Sequence, residues 1–348
     1  MKPLVSVLIL TFNRTDLLEK CVDAVLKSDY SKLEIVVSDN GSQEDIKGFI
    51  KKNFKRKKIK IVRLEKNRGL TGGFNFGFKY CKGKYVFILS NDTRIDRSCI
   101  SNMVGMMEKD EKIGITAPKI IQEEKPKELH NVGSFLTFTG TLYHYGIYKD
   151  KNNKKYQKSY YIFSSNGAGF LVRKETAKIT GLFDEESFVY YDESDLCHRV
   201  WLSGFTVVYC PKAVLYHLWG RTINTQNSQV WFWNQRNQIR SFIKNFSLPY
   251  LILFLGGLQV SYLMWFVINI LKRRFKFALT LPQTYIWHVK NIKKTWEERN
   301  FVQKRIRRVS DFEILEKVLL NPDWKYYLVH FGNRKYRDKK IPARIIYS

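Results

Sequence analysis

The stretch Tyr85-Val86-Phe87-Ile88-Leu89-Ser90-Asn91-Asp92-Thr93 decides how the chain is read. Tyr85 to Leu89 are apolar or aromatic without alternation, the pattern of a strand buried on both faces, as in a parallel sheet. The run delivers Ser90, Asn91 and Asp92 to the carboxyl end of the strand, where ligands bind in open α/β sheets. A carboxylate there can ligate a divalent cation that holds a diphosphate. It can equally cap the helix expected behind it, Arg97 to Met107. This stretch alone leaves both roles open.

Toward the N-terminus the same rhythm repeats. Leu4 to Leu10 is an apolar, β-branched run, and Thr11-Phe12-Asn13-Arg14 ends it. Leu17, Leu18, Cys21, Val22, Val25 and Leu26 then recur at helical spacing. Leu33 to Val37 and Ile59 to Leu64 read as further strands, with a helix from Gln43 to Asn53 between them and another opening at Asn67. Strands alternating with helices at this pace imply βαβ units and a parallel sheet with helices on both faces. The first βα turn has no glycine, so it is not a dinucleotide fingerprint. Gly69, Gly72 and Gly73 lack the lysine and hydroxyl residue of a P-loop.

Beyond Asp92 the pattern loosens. Ile113 to Ala117 reads as a strand, Asn131 to Tyr148 as short strands or loops, and the charged run Lys149 to Lys158 as a mobile surface loop. Asp192 to Leu202 has helical composition. Thr206 to Tyr209 and Ala213 to Tyr216 read as two short strands. Trp231 to Phe246 reads as a helix packed on the preceding domain.

The net charge is +28, and residues 231–348 carry 23 Lys/Arg against 7 Asp/Glu. Such a bias selects anionic partners. Ser247 to Leu271 is a run of 25 residues without a charge, followed by Lys272-Arg273-Arg274. It is long enough to span a bilayer as a helix. It also suits a helix lying in the interface or a buried helical hairpin. The five cysteines form no CxxC pair, which fits a reducing compartment. No apolar segment with a small-residue cleavage site stands at the start, so no secretory signal is expected.

Acidic residues recur at strand ends and helix starts: Asp39, Asp92, then Asp192, Glu193 and Asp195, with His217 after a short strand. Each has an ordinary structural role to hand. Asp39 can form an Asx turn, Asp192 can cap a helix, Asp195 can pair with Arg199 four residues on, and a lone histidine is commonly a packed one.

Taken in order, these blocks resemble a family 2 glycosyltransferase of the GT-A fold, near its rhamnosyltransferase-like branch. Val5 to Arg14, Asp39-Asn40-Gly41-Ser42, Asn67-Arg68-Gly69-Leu70 and Ser90-Asn91-Asp92-Thr93 resemble its donor-side motifs. Gly181-Leu182-Phe183-Asp184-Glu185 with Asp192 to Leu196, and Tyr209 to His217, resemble its catalytic and closing blocks. The resemblance implies a catalytic domain over residues 1–240 and a helical, basic, membrane-associating region over 241–348. It implies that Thr11, Asn13, Arg14, Asp39, Asn67, Gly69, Asn91 and Asp92 hold the donor nucleotide. Asp92 and His217 would bind Mn²⁺ or Mg²⁺. Glu193 would be the base with Asp192 beside it, and Arg221, Thr222 and Asp195 would reach phosphate or acceptor.

Two positions depart from the family pattern. Ser90 stands where many members have an aspartate, and the usual Glu-Asp pair is here Asp192-Glu193. The expected activity is inverting, metal-dependent transfer of a hexosyl residue from dTDP-rhamnose or a UDP-sugar to a glycan or lipid-linked acceptor. The expected place is the cytoplasmic face of the cell membrane, held there through residues 247–308. The two departures would suit a catalytically inactive scaffold of the same fold. A basic nucleic-acid-binding protein is the other alternative, but no RNP, KH or zinc-finger pattern is present, and nucleic acid is not an expected partner.

Overall fold

The apolar runs become strands because their side chains can be buried on both sides of a sheet that helices cover. A computed structural model of the chain describes residues 2–218 and 227–323. Its strands are β1 (Val5–Thr11), β2 (Leu33–Asp39), β3 (Ile59–Arg63), β4 (Tyr85–Ser90), β5 (Thr93–Ile95), β6 (Ile113–Gln122), β7 (Lys125–Asn131), β8 (Ser134–Leu136), β9 (Leu142–His144), β10 (Tyr160–Tyr161), β11 (Gly169–Arg173) and β12 (Thr206–His217). Its helices are α1 (Thr15–Leu26), α2 (Ile46–Asn53), α3 (Gly69–Phe78), α4 (Cys99–Lys109), α5 (Lys174–Thr180), α6 (Asp192–Leu202), α7 (Ser228–Asn245), α8 (Leu248–Leu271), α9 (Phe275–Ala278), α10 (Thr280–Lys290), α11 (Ile292–Phe301) and α12 (Asp311–Val318).

The main sheet runs in the order β10-β12-β6-β11-β4-β1-β2-β3. β4, β1, β2 and β3 are mutually parallel, and β11 enters antiparallel between β4 and β6. This is the mixed GT-A sheet with helices on both faces. Val86, Phe87, Ile88 and Leu89 are fully buried, which is why their run shows no alternation.

The structure departs from the sequence reading in four places. Asp92 does not cap the next helix, because β5 follows it at once and α4 begins only at Cys99. Thr206 to His217 is one strand with an irregularity between Cys210 and Val214, rather than two. The charged run Lys149 to Lys158 is anchored rather than purely a surface loop: Tyr156 is fully buried, and the Tyr209 hydroxyl donates to its carbonyl at 2.9 Å. The apolar run is one unbroken helix, α8, which removes the buried hairpin.

The division expected after residue 240 falls inside α7. Lys244, beyond that point, bonds to Asp184 at 2.5 Å and to Asp195 at 3.3 Å. Arg240 reaches Asp184 at 2.9 Å and Glu298 of α11 at 2.7 Å. Burial by itself would raise the Asp184 and Asp195 pKa values. Lys244, together with Arg240 at Asp184 and Arg199 at Asp195, outweighs it, and both carboxyls sit well below the usual range.

α8 is long and apolar enough to cross a membrane by length and composition. Leu251, Phe254, Leu258, Trp265 and Asn269 form a buried stripe at helical spacing. A Cβ on Gly257 would stand 3.0 Å from the Thr139 Cα, so glycine sets how closely α8 approaches the turn after β8. The opposite face, with Ile252, Leu253, Val260, Leu263 and Val267, is exposed.

Candidate active site

The carboxyl ends of β1, β2 and β4 carry a connected polar cluster. Asn91 Nδ2 donates to Thr11 Oγ1 at 2.9 Å, and Thr11 Oγ1 donates to the Asn13 carbonyl at 2.9 Å. The Asn13 backbone N–H donates to Ser42 Oγ at 2.8 Å, and Asn13 Oδ1 accepts from the Gln43 N–H. Asn13 and Arg14 have φ of 56° and 60°, and this left-handed turn lets β1 enter α1. The Arg14 guanidinium pairs with Asp16 at the surface, and its backbone N–H donates to Glu44. Thr11, Asn13, Arg14, Asp39 and Asn91 are thus brought to one sheet end.

Several of these groups also have internal work. Asp39 is almost fully buried, accepts from the Ser42 N–H at 2.9 Å and pairs with Arg63. Asn67 Oδ1 accepts from Asn40 Nδ2 and from the Gly69 N–H. Gly69 has φ of 72°, and a Cβ there would collide with the carbonyl and ring of Phe188. Its glycine is therefore required by contact with the loop before α6, whatever it does toward a donor.

Asp92 and His217 meet through the pairing of β5 with the end of β12, where His217 lies opposite Thr93. Asp92 Oδ1 is 3.5 Å from His217 Nε2. Behind His217 stands His130, a residue that no local pattern singled out. The two rings stack with centroids 4.9 Å apart, and their Nδ1 atoms are 3.0 Å apart. Burial first, then the neighbouring His217 and His144, push the His130 pKa well below the usual histidine value, so this ring is neutral at pH 7.

No group of three or more His, Cys, Asp or Glu that could hold a metal occurs among the described residues. The protein offers a pair, an oxygen and a nitrogen 3.5 Å apart. Such a pair suits a cation that completes its shell with water and diphosphate oxygens, not a closed structural site.

The acidic block opens α6. Tyr190 and Tyr191 precede it with φ of 69° and 60°, and Phe188 has φ of 61°. This strained loop is held by α7: Asn237 Nδ2 contacts the carbonyls of Ser187, Val189 and Tyr190 at 2.9, 2.9 and 2.7 Å. Arg236 Nη2 donates to the carbonyls of Glu186 and Ser187. Asp192 is buried. Glu193 is partly exposed and faces a cavity of about 340 Å³ that also reaches His130. Burial raises the pKa of both carboxyls, Asp192 raises Glu193 further, and Asp195 raises Asp192. Asp195, expected at phosphate or acceptor, points its carboxylate to protein partners. It is buried and taken by Arg199 at 3.0 Å, Lys244 and Asn245. Arg221 and Thr222 lie outside the described residues.

Residues 6–174 match the family described as glycosyl transferase family 2. A poly-beta-1,6-N-acetyl-D-glucosamine synthase of Staphylococcus epidermidis is 24% identical over 232 residues, 67% of this chain and 52% of its own length. A GalNAc(5)-diNAcBac-PP-undecaprenol beta-1,3-glucosyltransferase of Campylobacter jejuni is 30% identical over 105 residues, 29% of this chain and 34% of its own. The chain thus spans about half, or less, of the length of these relatives. The crystal structure of GalNAc-T7 with UDP, GalNAc and Mn²⁺ superposes with a TM-score of 0.62 at 17% identity, covering 92% of this chain and 59% of that one. The likeness extends the shared fold well beyond the matched motifs. Beside the sheet order and the placement of the motif residues, these matches make residues 6–174 similar to glycosyl transferase family 2, in a chain that shares its fold with the GalNAc-T7 structure.

Proposed function

We propose that the protein is an inverting, metal-assisted glycosyltransferase that moves a hexosyl residue from a nucleoside-diphosphate sugar to a hydroxyl of a lipid-linked or glycan acceptor. The observation that carries this reading is the placement of Glu193. Its carboxylate faces a cavity whose lining also includes His130, and His130 stacks on the His217 that lies beside Asp92. The proposed base therefore shares its cavity with His130, the ring that backs the pair proposed to hold the diphosphate.

The acceptor hydroxyl attacks the anomeric carbon as the bond from that carbon to the diphosphate breaks. Glu193 takes the hydroxyl proton as the new bond forms. One displacement inverts the anomeric configuration. Asp192, buried behind it, acts through its charge on Glu193 rather than by reaching the acceptor. Asp92 and His217 would hold Mn²⁺ or Mg²⁺, which when bound supplies charge neutralisation at the leaving diphosphate. Thr11, Asn13, Asp39 and Asn91 would grip base and ribose at the sheet end. A UDP-sugar is favoured over dTDP-rhamnose, because the GalNAc-T7 structure holds UDP and the relatives are named for glucose or N-acetylglucosamine.

The acceptor class is supported by the C-terminal helices and by a relative named for an undecaprenol diphosphate substrate. The buried stripe of α8 runs most of its length against the protein, which supports a helix lying in the cytoplasmic membrane interface rather than spanning it. Lys272, Arg273 and Arg274 then meet anionic headgroups.

Titrating UDP, dTDP and GDP with and without Mn²⁺, followed by a donor screen for nucleoside diphosphate release, tests the reading. One nucleotide should bind in a Mn²⁺-dependent manner, and Glu193→Gln should abolish release while leaving that binding intact. Full activity in both Glu193→Gln and Asp192→Asn would refute it. Flotation with anionic vesicles tests the membrane placement: the protein should float, and Ile252→Glu/Leu263→Glu should not.

A further inference from the structure

The cavity at Glu193 is in the size class of small-ligand pockets, which begins at about 300 Å³. Its far wall is built by the C-terminal helices, outside residues 6–174. Trp231 of α7 and Trp265 of α8 stack there with centroids 4.8 Å apart. Amides line it as well: Asn131, Asn166, Asn234, Gln235 and Gln238. Gln235 is almost fully buried. Its Oε1 accepts from Thr280, but its Nε2 has no hydrogen-bond partner among the described residues. A buried donor left without a partner costs free energy, so it points to a ligand that accepts from it. Amides beside indole faces match a pyranose, whose hydroxyls need hydrogen-bond partners and whose C–H face packs on aromatic rings.

The same two indoles also wall a second recess of about 130 Å³, lined by Ile268, Asn269, Lys272, Arg274 and Phe277. Neither Lys272 nor Arg274 has an ion-pair partner among the described residues. Next to them Leu271 and Phe275 are exposed, continuous with the open apolar face of α8. The order along the surface is therefore carboxylate, sugar-sized cavity, indole pair, two cations, apolar skin.

We infer that this series is the acceptor site, and that it takes a saccharide linked through a diphosphate to a lipid. The saccharide enters the cavity with a hydroxyl toward Glu193, Lys272 and Arg274 hold the diphosphate, and the chain runs along Leu271 and Phe275 into the membrane. A cation pair suits a diphosphate by charge and, at the arginine, by its fork of donors. A soluble glycan would use the cavity but neither the cations nor the apolar skin. The inference rests on the glycosyltransferase reading above and names its acceptor.

The test uses the full chain saturated with UDP and Mn²⁺, so that the donor side cannot take a second diphosphate. Farnesyl diphosphate, farnesol and inorganic diphosphate are titrated calorimetrically. Farnesyl diphosphate should bind one to one and at least about tenfold more tightly than either other probe, since it alone engages both the cations and the apolar surface. Lys272→Ala/Arg274→Ala should weaken it by about tenfold or more, the scale of one lost charge-assisted contact. Lys290→Ala/Lys293→Ala, which removes cations elsewhere on the same tail, should not. Equal binding of inorganic diphosphate would reduce the recess to a plain anion site and overturn the lipid assignment. Unchanged binding in the Lys272/Arg274 variant would overturn the site itself, while intact UDP–Mn²⁺ binding would leave the transferase reading standing. Failure of UDP–Mn²⁺ binding would overturn both.

Discussion

Replacing Asn237 by alanine removes the amide that holds the loop in front of the proposed base. Phe188, Tyr190 and Tyr191 all have positive φ, and backbone of this kind costs of order 1–3 kcal/mol per residue, roughly 3–9 kcal/mol for the three. Asn237 is almost fully buried and offers two amide protons to three carbonyls. Arg236 also covers the Ser187 carbonyl, so the variant leaves mainly those of Val189 and Tyr190 without a donor. At about 1–3 kcal/mol for each orphaned group, the loss is roughly 2–6 kcal/mol. That is comparable with the strain, so the loop should relax locally while the sheet stays folded. Glu193 sits two residues beyond Tyr191, and a shift of about 1 Å at a reacting group lowers rate on the order of 100-fold.

Nucleoside diphosphate release, measured with the donor found active in the screen, should show kcat down by about that factor. UDP–Mn²⁺ affinity, measured by calorimetry, should hold within about twofold, because the donor motifs lie on other strands. Asn237→Asp should be no better than Asn237→Ala, since a carboxylate cannot donate to the carbonyls. Retention of kcat within about threefold in Asn237→Ala, with a lowered Tm showing that the contacts were lost, would refute the positioning role.

Four further outcomes follow from the geometry. Asp92→Ala should remove most of the Mn²⁺ dependence of nucleotide binding. His130→Phe, which keeps the ring stack but not the nitrogen beside His217, should weaken Mn²⁺ in the presence of UDP by about tenfold or more, read by calorimetry or by Mn²⁺ paramagnetic resonance. Because burial raises the Glu193 carboxyl above the ordinary range and a base must be ionised, kcat/KM should rise with pH through neutrality; Asp192→Asn removes a like charge and should move that limb to lower pH. Lys244→Met leaves Asp184 and Asp195 buried with one guanidinium each and should cost about 3–5 kcal/mol at pH 7, followed by thermal unfolding. Both carboxyls have folded pKa values below their unfolded ones, so their stabilisation is complete above about pH 4 and lost as pH falls through the folded values; the Tm gap between wild type and Lys244→Met should therefore shrink in acid.

Asp92 marks the line between local and long-range information in this chain. Its strand, its place at the carboxyl end and the βαβ rhythm around it are local properties: runs of apolar residues and helical spacing report burial directly. The ordered motifs then carried the family resemblance and the fold. The same holds for Glu193, whose block opens a helix legible in its own composition. His130 could not be found this way. It lies on a strand of charged and polar residues, and only the pairing of β7 with β6, of β6 with β12 and of β12 with β5 brings it to His217 and Asp92.

The C-terminal third divides along the same line. Its charge and its long apolar run gave attraction to anions and membrane as expectations from composition alone. That α8 packs along one stripe was decided in three dimensions, as was the wall that Trp231, Trp265 and Gln235 form before Glu193, and the grip of Asn237 and Lys244 on the acidic block and the loop before it. Sequence patterns record which side chains leave water, because burial repeats with the period of the element. Which buried or half-buried groups then face one another depends on contacts between distant segments, and no period carries that information.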